Sequence, residues 1–207
     1  TRKGDPKGIR TWADLTKEGV EVITPNPFTS GAAQWNIMAA YGAQLQNGGT
    51  EQDGLDYIDA LFTNVPVQPS SGREALEIFD AGKGDVLLSY ENEAIAAQAG
   101  GQEIDYVVPD ETILIENPVA VVNTSKSLDQ ATAFRDFAFS EAGQRIFGDK
   151  GYRPTLKSVA DTYDFPTPAE LFTIDDLGGW PDVEKEFFDA DDGSVTKIFE
   201  GQGIATE

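Results

Sequence analysis

This chain contains no cysteine and no histidine, and only one methionine. The first absence removes disulfides and thiol chemistry. The second removes Ser-His-Asp triads and, with cysteine gone too, the commonest zinc sites. Basic residues are scarce: Lys and Arg number 15 against 36 Asp and Glu, a formal net charge of −21. Phosphate backbones call for basic surfaces, so the balance argues against nucleic acid as a partner. Long apolar runs are missing as well, and nothing approaches the roughly 18 residues that span a bilayer. The polar start Thr1-Arg2-Lys3-Gly4-Asp5-Pro6 does not read as a secretory leader. What remains is 207 residues, 40% of them apolar. That is the composition of a soluble globular protein, with length for one large domain or two lobes. Freedom from cysteine suits an exported protein.

Punctuation and patterning then order the chain. Thr11 caps a short helix that Gly19 ends. A strand is predicted at 20–24 and a helix at 30–46, stopped by Asn47-Gly48-Gly49. Thr50 and Asp53 make a capping-box start for a helix over 51–63. A short strand at 65–67 follows, then a helix opened by Ser70-Ser71-Gly72-Arg73-Glu74 and ended by Gly82-Lys83-Gly84. Residues 85–90 are almost continuously apolar, the pattern of a strand buried on both faces. A helix is expected at 91–99 and strands at 104–108 and 117–123. Beyond these the chain reads as helical, roughly 129–139, 141–147, 156–163, 181–188 and 194–199. Strands alternating with helices imply an α/β fold with a mostly parallel sheet. The natural boundary lies near 109–117.

The most informative stretch is Val22-Ile23-Thr24-Pro25-Asn26-Pro27-Phe28-Thr29-Ser30-Gly31-Ala32-Ala33. It reads as a strand, a proline-stiffened loop and a helix start of small residues. A helix start leaves several N–H groups without partners, and the macrodipole adds partial positive charge there. Small side chains let a ligand approach these donors, and Ser30 adds a hydroxyl, so the segment has the chemistry of an anion site. Ser70-Ser71-Gly72-Arg73 is a second such start. Each follows a strand, where open α/β sheets hold ligands. Either one alone reads equally well as an ordinary Ser/Gly cap; two on neighbouring strands point to a shared ligand. The net charge is no obstacle at close range, because salt screens it within about 8 Å.

Other segments carry blander readings. Gly82-Lys83-Gly84-Asp85 lacks phosphate-loop spacing and is a helix stop. Glu91 and Glu93, two apart on a helix, do not face each other and suit the helix dipole as first-turn acids. Asp189-Ala190-Asp191-Asp192-Gly193 has only half of a calcium loop and reads as a solvated turn. Arg73 can pair with a ligand, with loop carbonyls or in a structural salt bridge. Trp35 and Trp180 read as core or interface aromatics. No catalytic group, cofactor or metal site is expected.

Several segments together resemble the sulfate/thiosulfate-binding proteins of ABC importers, a branch of the type II periplasmic binding proteins. They are Asp5-Pro6-Lys7-Gly8-Ile9, Val22-Ile23-Thr24-Pro25-Asn26-Pro27, Thr29-Ser30-Gly31, Trp35-Asn36 and Gly84-Asp85-Val86-Leu87-Leu88. Further along come Glu91-Asn92-Glu93-Ala94, Pro118-Val119-Ala120-Val121-Val122, Tyr152-Arg153-Pro154 and Phe172-Thr173-Ile174-Asp175. The resemblance implies two lobes that close on a dehydrated oxyanion. It places residues 11–108 in one complete α/β anion-binding lobe. Residues 1–10 and 109–207 become hinge strands and the C-terminal part of a second, incomplete lobe. It implies that Ser30, Gly31 and Ala32 supply a hydroxyl and main-chain N–H donors, and that Gly72 or Ser71 supplies another N–H. Arg73 is then expected to brace a loop rather than hold the anion. Tyr90 stands where the best-known members carry tryptophan, and a phenol can also donate.

The resemblance further implies an ABC permease with its ATPase as partners, a periplasmic or extracytoplasmic setting, and a monomer when complete. The family is about half as long again, so the chain is expected to be truncated at its N-terminal side and to bind sulfate weakly on its own. A lipid anchor could lie in the missing part. Other oxyanions, such as thiosulfate, molybdate or phosphate, and a non-transport sensory module of the same fold remain alternatives. An enzyme acting on phosphate or sulfate esters is the rival of another class, but Ser30 has no histidine to activate it.

Overall fold

The computed structural model describes residues 1–206. In chain order the elements begin with a 3-10 turn, Trp12–Thr16, then β1 (Val22–Ile23), α1 (Gly31–Gln46), α2 (Glu51–Thr63), α3 (Gly72–Asp80), β2 (Val86–Leu87) and α4 (Glu91–Ala99). They continue with β3 (Glu111–Ile113), α5 (Leu128–Ala138), α6 (Glu141–Asp149), α7 (Lys157–Ala160) and β4 (Glu170–Phe172). A second 3-10 turn, Asp175–Leu177, precedes α8 (Trp180–Phe187) and α9 (Ser194–Gln202). The chain forms two compact units. Thr1–Ser89, Gln102–Ile115 and the residues from Pro168 onward make the first; Tyr90–Gly101 and Glu116–Thr167 make the second.

The first unit holds two parallel strand pairs. Val22 and Ile23 of β1 lie opposite Val86 and Leu87 of β2, and Glu111, Thr112 and Ile113 of β3 lie opposite Glu170, Leu171 and Phe172 of β4. α1 is the central helix, its Ala33, Ile37, Met38, Ala40 and Ala43 side chains almost fully buried. Its apolar residues surround it, as befits a helix covered on most sides. α2 is amphipathic instead, with Gly54, Ile58, Leu61 and Phe62 inward at helical spacing. Its start is the capping box expected of Thr50 and Asp53: the Thr50 hydroxyl accepts from Asp53 N–H at 3.2 Å, and Asp53 accepts from Thr50 N–H at 2.7 Å. Two glycines let neighbours close in. A Cβ on Gly42 would lie 2.3 Å from the Phe172 ring, and one on Gly54 would lie 2.5 Å from the Tyr41 ring. α8 and α9 complete the core with Val183, Phe187, Val195 and Phe199. Phe199 meets Phe28 and Phe62 at centroid distances of 5.6 and 4.5 Å.

α3 rests on a smaller cluster of Ile23, Ala75 and Phe79. Arg2 reinforces it. Its guanidinium lies 3.7 Å from the Phe79 ring centroid and donates to the carbonyls of Phe79, Lys83 and Gly84 at the C-terminal end of α3. A cation suits that end of a helix. Gly84 itself, at φ +71°, must lack a side chain, because a Cβ would sit 2.6 Å from Ile23.

The second unit is helical: α4, α5, α6 and α7. Its buried residues include Ala97, Ala138 and Val159. Gln144, also buried, ties the unit together by donating to Ala138 O and accepting from Thr155 N–H. Phe134, Phe137, Phe139, Ile146 and Phe147 of α5, α6 and their junction are exposed.

Most helices fall where sequence placed them, and β1 lies within the strand expected at 20–24, but the other expected strands are shorter or absent. Residues 65–67 form no strand, and 104–108 contribute only an antiparallel bridge from Ile104 to Arg2. The strand expected at 117–123 is absent, and Val119 and Val122 are exposed. A strand needs a partner for its N–H and C=O groups; here β3 and β4 find one another, although neither was predicted. The 85–90 strand shrinks to two residues, and its Leu87 and Leu88 are only half-buried, since β2 has a neighbour on one side alone. The compact units also divide the chain differently from the expected 11–108 against 1–10 and 109–207. Arg2 ties the first residues to α3, α8 and α9 pack into the main core, and 90–101 belong with 116–167. Among the described residues, no helix is long and apolar enough to cross a membrane.

Candidate functional site

Two loops, one after β1 and one after α2, each end in a bare helix start, and the second follows no strand, contrary to the sequence reading. After β1 the chain turns at Asn26. Its carbonyl accepts from Thr29 N–H and Ser30 N–H, and its side-chain oxygen accepts from Phe28 N–H at 2.8 Å. Asn26 N–H donates to Pro69 O at 2.9 Å, which ties this loop to the one before α3. Its side-chain amide donates to Ala205 O at 2.8 Å. One step along, the Asn36 amide in α1 donates to the Thr24 hydroxyl at 3.1 Å and to Leu88 O at 3.3 Å. The buried Asn36 amide thus joins the ends of β1 and β2 to α1.

Ser30 is the N-cap of α1 and is buried, yet its hydroxyl makes no capping bond. Gly31 N–H and Ala32 N–H, the first two of the helix, have no acceptor among the described residues. A Cβ on Gly31 would meet nothing within 4 Å, so the approach is open. At the second start, the Ser71 hydroxyl accepts from Glu74 N–H at 3.2 Å, while Glu74 accepts from Ser70 N–H and its hydroxyl at 2.9 and 2.8 Å. That reciprocal cap holds the Glu74 carboxyl below its usual range, the Ser70 hydroxyl being the main cause. It leaves Ser71 N–H and Gly72 N–H without acceptors among the described residues. The two starts meet: a Cβ on Gly72 would lie 3.8 Å from Ala32 Cβ. Four bare N–H groups and a hydroxyl thus sit on neighbouring helix ends with no carboxylate bonded to them.

Arg73 stands apart from this cradle. Its side chain is 90% exposed, and its nearest charge is Glu77, at 3.8 Å on the next turn. Among the described residues it bonds to no loop carbonyl. Tyr90, the N-cap of α4 in the second unit, makes no capping bond. Burial, with Glu93 adding to it, pushes its phenol up to about 12, so it stays a donor at neutral pH. Trp35 and Trp180 pack edge to face at 4.7 Å in the core of the first unit. Sequence reasoning gave no role to Asn26, Asn36 or Arg2. Asn26 carried a signal, as an Asn between two prolines marks a turn with a side-chain bond. Asn36 carried one too, as a polar residue on an apolar helix face. Among the described residues, no group of three or more Asp and Glu is placed to hold a metal ion.

The chain is 42% identical over 205 residues to the sulfate-binding protein of Synechococcus elongatus, covering 96% of this chain and 58% of that protein. It is 37% identical over 210 residues to the thiosulfate-binding protein of Pseudomonas aeruginosa, covering 96% and 62%. The chain therefore spans about three-fifths of the length of these curated relatives. Its structure resembles that of the sulfate-binding protein SubI from Mycobacterium tuberculosis, with a TM-score of 0.86 and 47% identity over 91% of this chain and 67% of that one. The architecture is that of a periplasmic binding protein, mixed α and β. Residues 1–153 match the family described as bacterial extracellular solute-binding protein, and the chain belongs to that family.

Proposed function

We propose that this chain is part of a solute-binding component of a sulfate ABC importer, acting outside the cytoplasm by reversible capture and without covalent chemistry. The observation that carries the reading is the pair of adjoining helix starts, where N–H groups of Gly31, Ala32, Ser71 and Gly72 and the Ser30 hydroxyl lack acceptors among the described residues. Sulfate and thiosulfate are the ligands named for the relatives.

The donor set is neutral, and that decides selectivity. A hydrogen bond to a charged group contributes roughly 1.5–3 kcal/mol, so several offset the dehydration of a dianion. Sulfate carries no proton at pH 7. Hydrogen phosphate does, and in a site whose one possible acceptor is the Ser30 hydroxyl, that proton can be met only by turning the hydroxyl away from its donor role. The test is calorimetry on the full-length protein. Sulfate is expected to bind about 10–100-fold tighter than phosphate. Ser30→Ala is expected to weaken sulfate by about 10–100-fold, from the loss of one charge-assisted bond. Equal or tighter phosphate binding overturns the reading.

A further inference from the structure

The loop before α1 is held from outside by the tail that follows α9. That helix ends at Gly203, in the left-handed conformation at φ +71°. Gly203 N–H donates to Glu200 O at 3.0 Å, and Ile204 N–H donates to Phe199 O at 2.8 Å. This is the paired bonding of a Schellman ending, with glycine at the position a side chain would strain. Ile204 packs back onto the main core. The reversal presents the next carbonyl, Ala205 O, to the side-chain amide of Asn26 at 2.8 Å. Ala205 is itself exposed, so its carbonyl, not its methyl, is what the tail contributes here.

Asn26 is only 7% exposed, and each of its polar groups is engaged. While the amide is held by the tail, the side-chain oxygen fixes Phe28 N–H. The main-chain carbonyl takes Thr29 N–H and Ser30 N–H, and the main-chain N–H holds Pro69 O in the loop that leads to Ser71. Phe28 anchors the same turn, its ring meeting Phe199 of α9 at 5.6 Å and Phe188 at 6.2 Å. Because Ser30 N–H is already engaged, the free donors of α1 begin at Gly31. The direction of the Gly31 and Ala32 N–H groups thus follows from the turn at Asn26, and the side chain that shapes this turn is fixed at its outer end by the tail.

We propose that Asn26 is a positioning residue for the Gly31 and Ala32 donors and that the tail after α9 holds it in place, so that tail and anion cradle are energetically coupled. The ligand in this inference rests on the sulfate reading above. Such coupling is reciprocal: a tail that firms the cradle is itself firmed by the anion. The test uses the full-length protein as native, Asn26→Ser, Gly203→Val and the double variant. A serine hydroxyl can still accept from Phe28 N–H but is one bond short of Ala205 O. Gly203 is exposed and a Cβ there meets nothing within 4 Å, so Gly203→Val acts through the left-handed turn, which a β-branched residue disfavours.

Sulfate affinity by calorimetry is expected to fall about 3–10-fold in Asn26→Ser, the cost of ordering a loosened loop on binding. Gly203→Val lowers it by up to the same factor. The double variant binds no worse than Asn26→Ser, because the tail acts through Asn26. Without ligand, the Gly31 and Ala32 amide resonances shift or broaden in both single variants. Saturating sulfate slows hydrogen exchange at Ile204 N–H in the native protein and not in Asn26→Ser. Losses that multiply in the double variant overturn the proposal. So does a lowered urea midpoint with native affinity and unmoved Gly31 and Ala32 signals in either single variant, the pattern of a bond that serves stability alone. Absence of sulfate binding by the native protein overturns the sulfate reading instead, and the amide resonances still decide whether the tail holds the cradle.

Discussion

Replacing Gly42 by alanine sets helix propensity against packing. In the middle of α1 an alanine favours the helix by roughly 0.5–1 kcal/mol over glycine. Yet the added methyl would lie 2.3 and 2.4 Å from Cε2 and Cζ of Phe172. Ordinary carbon contacts are about 3.5–4.0 Å, so ring and helix must part by about 1 Å. Phe172 is 3% exposed, and its strand β4 is held in register by β3, so the ring has little room to yield. Overpacking of this kind costs about 1–3 kcal/mol. The net expectation is a loss of about 1–2 kcal/mol, read as a lower urea midpoint with unchanged slope. The fluorescence of Trp35 and Trp180, packed in the same core, reports the transition.

The second half of that experiment removes the obstacle. In a Phe172→Leu background the methyl meets a smaller side chain, and Gly42→Ala is expected to be neutral or stabilising by up to about 1 kcal/mol. The double-mutant cycle should then give a coupling of about 1–3 kcal/mol between residues 42 and 172. A higher midpoint for Gly42→Ala in the native background, or a coupling near zero, refutes the close contact between α1 and the β3–β4 pair.

Two further predictions concern residues that hold the first unit together. Asp14 accepts from Arg10 N–H, Thr11 N–H and the Thr11 hydroxyl and pairs with Lys17, and these partners, Lys17 foremost, hold its carboxyl far below the usual range. Its contribution to stability is therefore complete above the unfolded value of about 3.9 and is lost as pH falls below it toward the folded one. Asp14→Asn should lower the urea midpoint at pH 7, and its gap to the native protein should narrow on acidification toward pH 2; a gap constant from pH 7 to 2 contradicts this. Asn26→Ala removes the bonds to Phe28 N–H and Ala205 O, and is expected to cost about 1–3 kcal/mol. Hydrogen exchange at residues 28–30 should rise with it, and unchanged protection there would count against Asn26 as the organiser of the loop.

The legible parts of this chain were those governed by neighbours in sequence. The Thr50–Asp53 box, the Ser71 cap and the Asn47-Gly48-Gly49 stop are short-range chemistry, and the helices they bound lie where expected. The helix starts at Ser30 and Ser71 were legible as donor sets for the same reason. Strands were less so, because pairing is decided by residues far away: β3 and β4 join segments nearly sixty residues apart. An apolar run such as 117–123 states a propensity, and only a partner turns it into a strand. The role of Arg2 was hidden likewise, since its side-chain acceptors Phe79, Lys83 and Gly84 stand 77 to 82 positions away.

Asn26 has a consequence for the order in which the protein can be finished. Its main-chain N–H reaches Pro69, and its side chain reaches Ala205, 179 positions on. During synthesis, at about 5–20 residues per second, the second of these partners emerges about 7–27 s after the first. Until then the side-chain amide lacks its native acceptor, and closing so long a loop is a late, slow event in folding. The loop before α1 is thus made well ahead of its last partner and is among the last segments to be locked.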